Sequence, residues 1–146
     1  MSIEDQMHVI GVVLGWIIAA GYVWAVMNFF VKRIYRKSIA NLPGDSPRKR
    51  RFTWIMHAVT KSHKFVPLFL LTILLLHFLM ELIHVGFFAT GVIAIVLLLL
   101  QISLGVYGAT AKEIKTDRWL YAHRTVAVLL FFAIAAHATT AIVLNP

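Results

Sequence analysis

The sequence predicts an all-α integral membrane protein in which four transmembrane helices form one bundle. Of its 146 residues, 60% are hydrophobic, and the mean hydropathy is +0.83. The apolar residues are gathered into four stretches that are long enough to cross the hydrocarbon layer of a bilayer, which is roughly 30 Å thick. Two of these stretches carry a pair of histidines 14 residues apart. We therefore expect residues 1–146 to form a single membrane domain.

The first predicted span covers residues 7–31. Acidic residues precede it and Lys32-Arg33 follow it, which is the reverse of the charge order in a secretory signal peptide. We therefore expect a retained transmembrane helix. Small residues recur at every fourth position near its start, on a face that a second helix or a flat cofactor can approach closely: Gly11, Gly15 and Ala19.

Residues 32–62 form the longest polar stretch and are predicted to be a basic loop. The sequence LPGDSP marks a turn inside it. Residues 52–61 have apolar side chains at helical spacing and indicate a short amphipathic segment on the membrane surface, with His57 on its solvated side. The basic run at residues 48–51 is typical of an anchor to anionic membrane lipids beside a span, and we do not expect nucleic acid as a partner.

The remaining predicted spans cover residues 63–84, 86–111 and 119–144. Only one residue separates the second span from the third, so a tight turn is expected between them. Pro67 lacks the amide that would bond to the carbonyl of His63. The second helix is therefore expected to bend or to begin near this proline.

The positions of the basic residues predict the orientation in the membrane. Every Lys and Arg lies in the first loop, in the link between the third and fourth spans, or within about a turn of them. The opposite side carries acidic residues only: Glu4, Asp5 and Glu81. Because short basic loops remain in the cytoplasm, we expect a plasma (inner) membrane protein with both termini outside.

The two histidine pairs, His63 with His77 and His123 with His137, are the main polar groups of the apolar sequence. Fourteen residues turn a helix through about 1400°, so both imidazoles of a pair share one face and lie about 21 Å apart. The second and fourth spans run in the same direction, which places the two pairs at matching depths. A titratable side chain inside a bilayer is costly and favours a functional role. Haem ligation, another role such as a metal site or proton path, and plain helix packing are all compatible with the pattern.

The chain contains no cysteine. This excludes disulfides, iron–sulfur clusters and the covalent attachment of c-type haem. The chain also lacks a glycine-rich dinucleotide fingerprint. Any haem is therefore expected to be bound non-covalently, and electrons are expected to come from a partner.

Two helices that each bear His-x13-His, in a small four-helix membrane protein, resemble the dihaem b-type cytochromes. This group includes the transmembrane parts of ferric reductases and the cytochrome b561-like proteins. The stretch LLLLQISLGVYG, followed by a polar link, Trp119 and the His123-Arg124 pair, is similar to their last two spans. The resemblance covers most of residues 52–144. The third span has no histidine, unlike the eukaryotic b561 pattern with its ligands on four helices, so ascorbate is not implied as the donor.

The resemblance implies two stacked haem b groups, each held by one imidazole from the second span and one from the fourth. Iron with two imidazoles is six-coordinate and low-spin, which suits electron transfer rather than oxygen binding. Matching depths predict that the inner haem uses His63 and His123 and that the outer haem uses His77 and His137.

Four further residues are predicted near the cofactors. Lys64 and Arg124 follow the inner ligands, where they would pair with haem propionates or simply anchor the helices. Gly105 and Gly108 would let a porphyrin lie against bare backbone, or would serve close helix packing.

Three residues at the outer interface, His8, Glu81 and His84, are candidates for a second site. Together they would form a proton-accepting pocket for a quinol, or a docking site for an external acceptor. Interfacial side chains satisfied by water are the alternative.

The predicted function is transmembrane electron transfer through a dihaem cytochrome b, from the quinone pool or a cytoplasmic-side donor to an acceptor at the opposite face. The partner is a quinone or another redox protein. One alternative is a small oxidoreductase that reduces ferric iron, or exchanges electrons between quinone and superoxide, at its outer haem. Another is a non-redox scaffold or transporter subunit. The sequence indicates no catalytic residue, oligomeric state or direction of transfer.

Overall fold

The computed structural model describes residues 3–84, 86–111 and 117–144, and these are helical almost throughout. The helices are α1 (Ile3–Ile34), which continues into a π-helical turn (Tyr35–Ile39), α2 (Pro47–Ser62), α3 (Val66–His84), α4 (Ala89–Thr110) and α5 (Asp117–Leu144). No strand occurs in the described ranges. The prediction of an all-α protein is confirmed for this part of the chain.

Four helical segments are long and apolar enough to cross a membrane. They are Asp5–Ile39, Val66–Ile83, Ala89–Thr110 and Asp117–Val143. The prediction of four such segments is confirmed, although the first is longer than predicted and the second and third each begin three residues later. Most of the polar link before the fourth, residues 112–116, lies outside the described part of the chain.

The second span begins at Val66, one residue before Pro67. The chain leaves α2 through a turn in which the Phe65 amide donates to the Ser62 carbonyl (2.9 Å). The Phe65 carbonyl then accepts from the Leu68 amide, and Pro67 lies in the first turn of α3, where a missing amide costs least. His63 therefore lies in the turn before α3, and not on the same helix as His77.

The chain divides into two compact units, Met1–His84 and Val85–Pro146. In the first, α3 packs against α1, and their contacts pair the start of α3 with the end of α1, so the helices are antiparallel. In the second, α5 packs against α4 in the same antiparallel sense. The bundle of all four helices and the single membrane domain stay predictions.

A leucine lies at the centre of each histidine pair. Leu70 (3% exposed) stands seven residues after His63 and seven before His77, and Leu130 (0% exposed) stands in the same way between the histidines of α5. Seven residues turn a helix through about 700°, which is nearly two full turns. Leu70 packs directly against Gly21 of α1. The face that carries the histidines of α5 is therefore the face that is buried within its unit.

The basic segment at 32–62 is more ordered than predicted. Helix α2 begins at Pro47, five residues before the predicted amphipathic segment, since proline is well suited to the first helical position. Val59 is 1% exposed, and Phe52 stacks on Tyr35 at a ring separation of 6.4 Å. Part of the apolar face thus packs on the end of α1. Trp54 stays 73% exposed, and its placement at a membrane surface stays a prediction.

The turn between the π-helical turn and α2 is held by one lysine. Lys49 donates from Nζ to the carbonyls of Ala40 (2.9 Å) and Leu42 (2.7 Å). Further along, Thr60 Oγ1 donates to Asn28 Oδ1 at 3.1 Å. These bonds fix α2 beside the last turns of α1.

A methyl group at Gly108 tests the packing of the second unit. The added Cβ would overlap the indole of Trp119, which cannot easily move because its Nε1 donates to the Leu104 carbonyl at 2.8 Å. We expect Gly108→Ala to destabilise the protein by about 1–3 kcal/mol, seen as earlier thermal unfolding in detergent micelles. Gly105→Ala is the matched control, because its Cβ would lie 3.8 Å from the nearest atom of His123, an ordinary contact. Equal melting temperatures for the two variants would contradict this packing.

Candidate functional site

Both histidines of the first unit bond to main-chain carbonyls of α1. Nδ1 of His63 lies 3.0 Å from the Ala25 oxygen, and Nδ1 of His77 lies 2.9 Å from the Gly11 oxygen. A carbonyl can only accept, so each Nδ1 carries the hydrogen and donates it. In the neutral ring this assignment leaves the lone pair on Nε2, the nitrogen through which a metal would be bound.

Helix α1 sets the separation between these two contacts. Gly11 and Ala25 are 14 residues apart on one unbroken helix, which corresponds to about 21 Å along its axis. The 14-residue interval predicted for the histidines therefore applies to their contact points on α1, even though the turn at 63–65 removes His63 from α3.

The small-residue face of α1 is where the first unit closes around His77. A Cβ at Gly15 would lie 3.2 Å from Cε1 of His77, and a Cβ at Gly11 would run into the carboxylate of Glu81. The imidazole and the carboxylate thus occupy the space that the two glycines leave. Of the two alternatives for this face, close packing of a second helix describes its surroundings in the structure.

In the second unit, His137 is enclosed by the first turn of α4. Nδ1 of His137 lies 3.3 Å from Thr90 Oγ1. A Cβ at Gly91 would lie 3.1 Å from Cε1 of His137, and the Phe88 ring meets the imidazole edge-on at 6.2 Å. The ring is confined on three sides, and its hydrogen-bond partner here is a side chain.

His123, the other histidine of α5, lies between Gln101 and Trp119. The amide nitrogen of Gln101 donates to Nε2 of His123 at 3.1 Å, which marks Nε2 as the nitrogen with the lone pair. The Trp119 ring stacks on the imidazole at 5.6 Å, and Gly105 faces it. The Gln101 Oε1 atom is buried with no hydrogen-bond partner among the described residues.

The two units repeat one arrangement. Gly91 and Gly105 on α4, which face the histidines of α5, are 14 residues apart, as are the contact points on α1. This repeat is hard to recognise in the sequence because the connections differ in length. Ala25 is separated from His63 by 38 residues, whereas Gly105 is separated from His123 by 18. The equal spacing of the two glycines was the signal that would have revealed the partner positions on α4.

His63 lies outside the membrane-spanning segments, and its protonation is perturbed. Burial lowers the pKa of His63, the hydrogen bond to Ala25 opposes this, and the charge of Lys32 lowers it further. The lowered pKa favours the uncharged ring, which is the form that binds a metal.

The cations and glycines predicted near the cofactors differ in their exposure and in the residues that they contact. Lys64 and Arg124 are both exposed, and each directly follows the first histidine of its pair. Gly108 is covered by Trp119, so helix packing describes what surrounds it, while Gly105 lies against an imidazole. Whether any of the four contacts a cofactor stays a prediction.

Two of the three residues of the predicted outer site, Glu81 and His8, lie near the same stretch of α1. Glu81 reaches Gly11, and His8 precedes Gly11 by one turn of α1. The side chain of His84 lies outside the described part of the structure. The quinol or acceptor role of these residues stays a prediction.

The described residues contain no group of three or more His, Cys, Asp or Glu side chains placed to hold a metal ion. They therefore give no support to a metal site built from several side chains. A haem iron takes only two axial ligands from the protein. The pairing of a first-unit histidine with a second-unit histidine stays a prediction.

The hydrogen bonds of the first unit predict a nuclear magnetic resonance signature. In protein prepared without haem and labelled with ¹⁵N-histidine, His63 and His77 should both carry a hydrogen on Nδ1, because their partners are carbonyls, which can only accept. His57, exposed on α2, is the internal control and should show the mixture typical of a solvated ring. Signals of His63 and His77 that match those of His57 would show that the carbonyl bonds do not form.

The four histidines thus form two matching sets, one in each unit, yet the comparisons with known proteins add no relative: no protein-family model, no curated protein and no solved structure matches this chain.

Proposed function

We propose that this protein is a dihaem cytochrome b that carries electrons across the membrane, between the quinone pool or a cytoplasmic-side donor and an acceptor at the opposite face. One observation supports the proposal most directly. In both units, histidines are held by the neighbouring helix through Nδ1, which assigns the bond to iron to Nε2: His63, His77 and His137. His123 differs, because Gln101 bonds to its Nε2. Histidines that bind metals almost always donate their other ring nitrogen to a second group in this way.

The residues fit a haem with two axial imidazoles. One ligand of each haem would come from the first unit and the other from the second, with His63 and His123 at the inner haem and His77 and His137 at the outer haem. Bound haem supplies one-electron chemistry at iron, and two imidazoles leave no open coordination position. Binding is non-covalent because the chain has no cysteine.

The rest of the chain provides the surroundings that such a cofactor needs. Leu70 and Leu130 fill the helix contacts midway between the histidines and exclude water from them. Lys64 and Arg124, exposed beside the inner ligands, are suited to pair with propionates. Gly105 leaves room beside His123 for a flat group to approach the backbone.

The proposed orientation places both termini outside and the basic loops in the cytoplasm. It rests on the net charge of +8 and on the confinement of the cations to one side of the spans. Because the inside of the membrane is negative, moving an electron outward across the whole membrane lowers its free energy by about 2.3 kcal/mol per 100 mV of membrane potential. This favours outward transfer.

At the outer face, Glu81 and His8 would form a docking site for an external acceptor or, if electrons instead enter there, a proton-accepting pocket for a quinol. Glu81 lies against Gly11, one turn from His8 and on the same stretch of α1 that accepts the His77 hydrogen bond. A carboxylate and an imidazole near the same stretch of α1 are suited to accept protons from a quinol. His84 stands one turn beyond Glu81 in the sequence and would complete the pocket.

Haem content is the first test of this function. The purified full chain, supplied with haem during expression, should contain two haem b per chain, and acid–acetone should extract both because no cysteine attaches them. The pyridine haemochrome assay measures the haem bound per chain and the haem that acid–acetone extracts. One haem per fully loaded chain would contradict the paired arrangement, and a colourless protein would favour the scaffold alternative.

Histidine variants test which ligands share a haem. His77→Ala and His137→Ala should abolish the same redox centre, and the double variant should lose little more than either single one, because the two ligands act as a unit. His63→Ala and His123→Ala should abolish the other centre. Redox titration with low-temperature spectra resolves the two centres.

The control for these variants is His57→Ala, which changes an exposed histidine on α2 and should leave both centres intact. If His63→Ala and His137→Ala removed the same centre, the proposed depths of the histidines would be wrong.

The orientation is tested by the accessibility of the termini. A protease-cleavable tag at either end should be removed from intact spheroplasts, because the basic loops hold the opposite side in the cytoplasm. A tag inserted in the exposed turn at Gly44 is the matched control and should be cleaved only after lysis. Protection of both terminal tags would invert the orientation.

A further inference from the structure

Two threonines and a histidine form a chain of hydrogen bonds at one end of the second unit. Thr140 Oγ1 lies 3.2 Å from Thr90 Oγ1, and Thr90 Oγ1 lies 3.3 Å from Nδ1 of His137. A hydroxyl can donate or accept, so the direction of each bond depends on where the single hydrogen of each threonine goes.

Thr140 Oγ1 lies within hydrogen-bonding distance of the carbonyls of Ala136 (3.0 Å) and His137 (2.9 Å), the usual back-bonding of a helical threonine. Both carbonyls are nearer to Thr140 Oγ1 than the Thr90 oxygen is (3.2 Å). When Thr140 donates its single hydrogen to either carbonyl, its oxygen accepts towards Thr90.

The direction of the second bond follows from the first. Thr90 has one hydroxyl hydrogen and donates it to Thr140 Oγ1, so towards His137 the Thr90 oxygen accepts. Nδ1 of His137 must then carry the ring hydrogen and donate it to Thr90 Oγ1. The ring has the same tautomer that carbonyls impose on His63 and His77.

The difference between the units lies in what defines this tautomer. In the first unit a carbonyl is enough to define the tautomer, because a carbonyl is always an acceptor. In the second unit a hydroxyl takes that place, and a hydroxyl alone would permit either tautomer. Thr140 removes the ambiguity, and the Phe88 edge and bare Gly91 hold the ring where it can reach Thr90.

We propose that Thr140 and Thr90 are positioning residues that fix His137 as the tautomer with hydrogen on Nδ1 and so set the strength with which its Nε2 binds the outer haem. The part that concerns haem rests on the function proposed above. The part that concerns the tautomer does not, which allows the two to be tested separately.

The tautomer is tested in the full chain without haem by ¹⁵N-histidine resonance, with the His137 signals assigned from His137→Gln. In Thr140→Val the Thr90 hydroxyl loses its acceptor and turns to Nδ1, so the ring should gain the tautomer with hydrogen on Nε2. Thr140→Ser should restore the unaltered signals. Thr139→Val is the matched control, because Thr139 is an exposed neighbour whose hydroxyl donates to the Ala135 carbonyl of its own helix.

The consequence for haem is tested in the loaded chain. Thr90→Val and Thr140→Val should lower the haem affinity of the outer centre by about 10–100-fold, the usual effect of losing a partner of a ligating histidine. They should also shift the potential of the centre that His77→Ala abolishes and leave the other centre unchanged. Thr90→Ser should rescue both properties, and unchanged signals of His63 and His77 would show that the variants fold.

Each result decides one part of the proposal. An unaltered His137 tautomer in Thr140→Val would overturn the relay, whether or not the chain binds haem. A changed tautomer with an unshifted outer centre would overturn the link to haem. If the unaltered chain bound no haem, the proposed function would fail, while the nitrogen signals would still decide for or against the relay.

Discussion

Burying an imidazole between apolar helices removes its N–H group from water, and an unmet donor in hydrocarbon costs several kcal/mol. The surroundings of the histidines in both units follow from this cost. A helical carbonyl retains a second lone pair, but a ring can reach it only where the neighbouring helix presents little side chain. Gly11 and Gly15 provide such a place on α1, and their contacts with Glu81 and His77 show how closely the helices meet there. On α4 the Thr90 hydroxyl meets the same need for His137, beside Gly91.

The sequence contained enough information to predict the four long apolar helices and the restart of the second one near Pro67, because chain length in hydrocarbon and a missing amide are local properties. It did not reveal which helix each histidine faces. Every side of an apolar helix has similar hydropathy, so the packed face cannot be read from hydropathy alone. The best local clue was the leucine midway between each pair, since His, Leu and His at seven-residue intervals share one face of α5.

The partner residues were harder to predict because they depend on two segments at once. Ala25, Thr90 and Gln101 have no distinctive pattern of their own, and they gain meaning only when the antiparallel register of each pair is known. The start of α2 was missed for a different reason. Pro47 was interpreted as part of a turn, although the same residue is favoured at the first position of a helix. The function, the cofactors and the depths of the histidines stay predictions from the sequence.

The use of main-chain acceptors in one unit and side-chain partners in the other has a consequence for how the protein can evolve. No substitution deletes a carbonyl, so point mutations can alter the bonds of His63 and His77 only by moving α1 itself. The bonds of His123 and His137 depend on the identity of Gln101 and Thr90, and a single codon change can strengthen, weaken or remove either one. Natural variation in the hydrogen bonds of the four rings is therefore expected to accumulate in the second unit. The bonds of His63 and His77 in the first unit are expected to vary less.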